Sequence, residues 1–96
     1  MEFPKWEDNE KSFADLVERL KKTIAYVETL KPEQLDGAEA RTIKWVQQEK
    51  NMEQLGRDYL FNRVLPNVFF HCATAYDILR HNGVELGKTD FLGTLD

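Results

Sequence analysis

Asn67 and His71 stand four residues apart in the run Leu65-Pro66-Asn67-Val68-Phe69-Phe70-His71, the spacing at which a helix stacks two side chains on one face. Two metal ligands are often presented this way. An asparagine in the first position offers only a carbonyl oxygen, a poor ligand for transition metals, which favour imidazole and thiolate. The pair therefore reads as a metal-site helix with a defect, and His71 is its one candidate ligand. Cys72 follows directly, but adjacent helix residues diverge by about 100°, so the two make a poor nucleophile–base pair. The expected role of Cys72 is that of a small buried hydrophobe.

For His71 a hydrogen-bonded structural role stands ahead of a ligand role, because a catalytic or metal assignment needs partners in reach. Asn67, just after Pro66, is expected to satisfy exposed backbone donors near a helix start. His81 lies four after Asp77 near a helix end, which suits a salt-bridge and dipole role. Trp6 and Trp45 are expected to be core or interface anchors. There is no Gly-rich phosphate loop, no Cys-x-x-Cys and no Ser/His/Asp order, so no residue is expected to be catalytic and no cofactor is implied by motif.

The elements that must carry these residues follow from apolar spacing. From Arg57 to Asn82 a helical period returns through Tyr59, Leu60, Val64, Leu65, Val68, Phe69, Cys72, Ala75, Tyr76 and Leu79, and Pro66 inside it predicts a kink or restart. Gly83 is placed as the stop, with Arg80 and His81 at the negative end of the dipole. Upstream, Phe13, Leu16, Val17, Leu20, Ile24, Val27 and Leu30 predict an amphipathic helix over roughly 10–30, opened by Asp8 or Asn9 and ended before Pro32. Between them, Pro32 to Ala40 reads as a loop. The stretch from Arg41 to Leu55 favours a β-hairpin, with Ile43 and Trp45 on one face and a turn over Gln47–Asn51. A helix is the competing reading there, since Gln, Glu, Lys and Met are good helix formers. The tail is expected to pack through Leu86, Phe91 and Leu92.

Ninety-six residues allow one small domain, and 42% hydrophobic with 31% charged residues is an ordinary globular composition. A net charge of −4 with no basic stripe argues against nucleic acid. No apolar run is long enough to span a membrane, and the N-terminus lacks a signal-peptide layout, so a cytoplasmic location is expected. One cysteine permits no internal disulfide. The two amphipathic helices are expected to pack antiparallel. A hairpin cannot cover both apolar faces, so half of a four-helix bundle is expected, completed by homodimerisation through Phe69, Cys72, Tyr76 and the first helix.

A resemblance sharpens this. Trp6-x-Asp8-Asn9-Glu10, Gly37-Ala38-Glu39-x-Arg41-Thr42-Ile43, Asp58-Tyr59-Leu60, Leu65-Pro66-Asn67-x-Phe69-Phe70-His71 and Tyr76-Asp77-Ile78-Leu79-Arg80-His81-Asn82-Gly83-Val84 resemble a bacterial and fungal domain family of uncharacterised function. That family sits within the DinB / YfiT-like four-helix-bundle superfamily of proposed metalloenzymes. The resemblance implies a single shortened domain over 1–96, matching the C-terminal portion of longer members. It also implies a His-x-x-x-His metal pair falling on Asn67 and His71, with a third histidine on a helix absent from this chain. The function expected is a non-catalytic or uncharacterised, self-associating DinB-like module. The alternative is a divalent-metal-dependent (Zn or Ni) thiol transferase or hydrolase-type enzyme, its site completed by another chain.

Overall fold

A computed structural model describes residues 3–94 and is mainly α-helical, with one antiparallel hairpin. It divides into two compact units, one ending at Asp36 and the next beginning at Gly37.

In the first unit α1 spans Phe13–Glu28, shorter at both ends than the apolar spacing suggests. Neither Asp8 nor Asn9 caps it. Ser12 does: its hydroxyl accepts the Asp15 amide at 3.1 Å, and Asp15 in turn accepts the Lys11 amide at 3.0 Å. Reciprocal bonds of this kind satisfy donors that the first turn leaves free. At the far end the Thr29 hydroxyl donates to the Tyr26 carbonyl at 2.6 Å. Lys31 is extended, as a residue before proline must be, and Pro32–Leu35 form a 3₁₀ turn.

The second unit opens at Gly37, whose φ of +73° suits a residue without Cβ. A 3₁₀ turn over Ala38–Ala40 leads into β1 (Thr42–Gln47), and β2 (Lys50–Leu55) returns antiparallel, pairing Ile43 with Gln54 and Trp45 with Met52. The hairpin reading of 41–55 is thus the correct one. Its two-residue turn is Gln48-Glu49, both at positive φ, the conformation for which Asn-Gly is the usual choice. That mismatch is why the turn is hard to see in the sequence. Ile43 and Trp45 do share the half-buried face.

β2 passes directly into α2 (Gly56–Tyr59), a π-helical turn over Leu60–Val64 and α3 (Leu65–His81). The Leu65 amide reaches five residues back to the Leu60 carbonyl. The next residue, Pro66, has no amide to continue the α ladder and its ring crowds the preceding turn; a wider π turn relieves that crowding without ending the helix. The break expected at Pro66 is therefore a π turn placed just before it. Because helical backbone runs through, Val64 and its neighbours receive no side-chain cap. Asn67 does not cap the helix start, contrary to expectation. α3 stops where expected. Gly83 adopts φ +93°, its amide bonds the Arg80 carbonyl, and the Val84 amide bonds the Leu79 carbonyl, both at 3.1 Å, a Schellman closure.

The tail folds back as α4 (Lys88–Leu92). Tyr76 fastens it: the hydroxyl donates to the Gly87 carbonyl and the ring meets Phe91 edge-on, centroids 5.4 Å apart. Phe91 packs as expected; Leu92 remains exposed. No described side chain is fully buried, so Cys72, expected inside, is exposed.

The tightest backbone approach lies at Gly56. Its amide donates to the Arg41 carbonyl at 2.7 Å, and an added Cβ would stand 1.8 Å from the Ala38 carbonyl oxygen. Gly56→Ala should therefore destabilise the second unit by about 1–3 kcal/mol, the range for forcing an extra methyl into a closed contact. Thermal unfolding followed by circular dichroism checks it; a Gly56→Ala melting curve matching the parent would show that the strand–helix junction yields.

Candidate functional site

Three groups of polar side chains merit weighing. The first is Asn67 with His71 on α3. Both are exposed, and the His71 ring meets the ring of Phe70 edge-on at 5.3 Å. Among the described residues no three His, Cys, Asp or Glu side chains gather where a metal could be held. His81 is exposed in the last turn of α3, where it complements the dipole. No ion pair with Asp77 forms among the described residues.

The second group is in the first unit. Arg19 on α1 reaches back to the segment before it, with Asp8 and Glu10 each 2.7 Å from its guanidinium and the Glu7 carbonyl at 3.2 Å. Glu7, Glu10 and Arg19 line a cleft of about 470 Å³ with Trp6, Asn9 and Lys22. The Arg19 hydrogen bond holds the Glu10 carboxyl below its usual range. A carboxylate kept ionised in this way is no proton donor at neutral pH. The guanidinium is already spoken for. Chemically this is a staple of the chain before α1, and it explains what the acidic Asp8–Glu10 run does instead of capping.

The third group is in the second unit. The Arg63 guanidinium lies over the Trp45 ring, 4.7 Å from its centroid, and Tyr59 meets Trp45 at 5.0 Å with planes tilted 56°. Trp45 is thus the anchor expected of it, joining hairpin to helix. A cleft of about 450 Å³ opens beside this stack, with Tyr59, Asn62, Arg63 and Asn67 on its polar side. Sequence reasoning passed over Tyr59 and Arg63 as site residues. The signal was present: Tyr59, Arg63, Asn67 and His71 recur at every fourth position.

The chain matches the model of the family described as Domain of unknown function (DUF1993) over residues 1–92. It belongs to that family. A solved structure, that of a DinB family member protein from Shewanella denitrificans, resembles this DUF1993 chain with a TM-score of 0.75 at 40% identity. The match covers 96% of this chain and 51% of that one, so this chain spans about half the length of its solved relative. No curated protein matches it. The DinB-like resemblance of the sequence is therefore supported at the level of family and fold, with no activity attached.

Among the described residues, Asn67 and His71 do not by themselves make up a metal centre. One imidazole and an amide oxygen, both open to solvent, are short of the three protein ligands that a catalytic zinc keeps.

The Arg19 staple gives a pH prediction. The folded-state Glu10 carboxyl is depressed below its usual value near 4.5, so its contribution to stability is present above that value and is lost as pH falls through the folded value. Melting temperature should fall on acidification below about pH 4.5, and Glu10→Gln should lower it at pH 7 while flattening that fall. Parallel acid profiles in parent and Glu10→Gln would remove Glu10 from the account.

Proposed function

We infer that this DUF1993 chain is a non-catalytic, self-associating DinB-type module of the cytoplasm. In this reading the chain is a single domain over 1–96 that corresponds to the C-terminal portion of longer family members and contributes two long helices to the bundle. Two copies together supply a four-helix bundle. One observation carries it: the whole apolar stripe of α1 faces outward, with Phe13 88%, Leu20 62% and Ile24 57% exposed. A lone amphipathic helix needs a second layer for such a stripe, since exposed patches beyond a few hundred Å² mark contact surfaces. A second copy is proposed as that layer because isologous pairing of one apolar face with the same face of a copy is the commonest arrangement among oligomers.

On α3, Phe69 and Cys72 are free to join this interface. Tyr76, expected there too, already fastens the tail. Neither nucleic acid nor membrane is a proposed partner; no helix among the described residues is long and apolar enough to cross a membrane. Light scattering at micromolar concentration should give twice the mass of one chain. Leu20→Glu combined with Ile24→Glu should weaken association at least 100-fold, since burial of each side chain is worth about 1.5–3 kcal/mol. A folded parent monomer, or a double variant that still dimerises, overturns the proposal.

A second reading is favoured by the accessibility of His71 on α3, which leaves it open to ligands from another chain. It is the divalent-metal-dependent thiol transferase or hydrolase-type enzyme, with His71 as one metal ligand and Asn67 at the other family position. Metal analysis of protein purified without chelator separates the two. The first reading expects substoichiometric zinc and nickel. Stoichiometric metal that is lost on His71→Ala would establish the second.

A further inference from the structure

We propose that the cleft beside the Trp45–Arg63 stack is a binding site for a small monocarboxylic acid with a short apolar body. This goes beyond the self-association reading and is independent of it.

A guanidinium is charged at every physiological pH and has five N–H donors in a rigid fork. Most surface arginines find a carboxylate or lie free in water. Arg63 does neither: it is half-buried against the Trp45 ring at 4.7 Å, and no ion pair to it occurs among the described residues. Arg19 on α1 shows the contrast, with two carboxylates at 2.7 Å. The cation–π contact holds the guanidinium against the indole, and Arg63 also lines the cleft. An unpaired fork is suited to two parallel bonds to one carboxylate.

The surroundings match the rest of such a ligand. The cleft of about 450 Å³ is within the size range of small-molecule sites, about 300–1,000 Å³. Its polar side adds the Asn62 and Asn67 amides and the Tyr59 phenol, all able to donate to an anion. Its apolar side is Val64, Pro66 and Val68, which suits a short hydrocarbon or ring rather than a phosphate. The π turn keeps these groups together. Four residues of α-helix overshoot a full turn by about 40°, whereas a π turn takes more residues per revolution and drifts the opposite way. The π turn over Leu60–Val64 thus offsets the drift between Tyr59 and Asn67, so both stay in line with Arg63. The protein's net charge of −4 opposes general anion binding, so a carboxylate seen here is held by this local arrangement.

The test is a titration with benzoate, followed by ¹H–¹⁵N NMR of the Trp45 indole N–H and the Asn62 and Asn67 side-chain amides. Saturable shifts are expected with a Kd of about 1 mM, as befits so small a ligand. Benzamide, the neutral isostere, should give no saturation, and inorganic phosphate and chloride should bind at least tenfold more weakly. Arg63→Lys keeps the charge and removes the fork, so benzoate affinity should fall at least tenfold. Failure of benzoate to saturate, an equal response to benzamide or phosphate, or an unchanged affinity in Arg63→Lys overturns the proposal. If Arg63→Lys fails to fold, Asn67→Leu, which leaves the stack intact, decides: unchanged benzoate affinity there overturns it as well. Light scattering of the same samples reports association separately.

Discussion

Pro66 has no amide hydrogen, and the helical run from Gly56 to His81 is arranged around that lack. A straight α-helix through this point would push the proline ring into the preceding turn and leave a carbonyl unanswered, at a cost of about 3 kcal/mol. The chain widens one turn instead, over Leu60–Val64, and the helix passes through without stopping. Two consequences follow from that single adjustment. Asn67 sits inside continuous helix rather than at its start, so its amide is free of capping duty. The π turn also offsets the helical drift between Tyr59 and Asn67, and these two form a polar row with Arg63 along the cleft.

That row would mean little without a rigid base, and Gly56 supplies it. The hairpin runs into α2 with no connecting loop, so the first helical residue must lie against the Ala38–Ala40 turn. Only a residue without Cβ can approach the Ala38 carbonyl this closely. The Arg41 carbonyl accepts the Gly56 amide, and Trp45 then reaches across from β1 to Tyr59 and Arg63. The turn around Gly37-Ala38-Glu39 and the Gly56 junction are therefore two sides of one contact. Strand, turn and helix start hold one another in a unit with no fully buried residue, where aromatic stacking and close backbone contact take over much of the role of a core.

The sequence was legible where one physical effect dominated. The period of α1 and α3, the Gly83 stop and the half-buried pair Ile43 and Trp45 all follow from apolar spacing and from glycine's freedom at positive φ. It misled where two effects competed. Asp8, Asn9 and Ser12 are all good caps, and only the reach of Arg19 to the first acidic group leaves Ser12 to cap α1. Gln48-Glu49 carries no turn signature, because cross-strand pairing outweighs the strain of two left-handed residues. Cys72 and Tyr76 share an apolar face, yet the tail claims Tyr76 and leaves Cys72 open. A pattern of spacing says which residues share a face and is silent on what comes to cover it.

The same limit separates the two kinds of site this helix could bear. A centre built on His71 needs at least two further ligands, and no group of three His, Cys, Asp or Glu side chains that could hold a metal occurs among the described residues; its chemistry would depend on what another chain brings. A centre built on Arg63 needs no further protein charge. The guanidinium carries its own, the indole of Trp45 lies against it at 4.7 Å, and the neighbouring amides have N–H groups that can donate to an anion. Arg63 and His71 stand eight residues apart with Asn67 between them. Asn67 is a weak ligand toward the one and a good hydrogen-bond donor toward the other. An amide at that position is a defect if the helix is judged as a metal helix. In the carboxylate site proposed at Arg63 the same amide is one more donor to the anion.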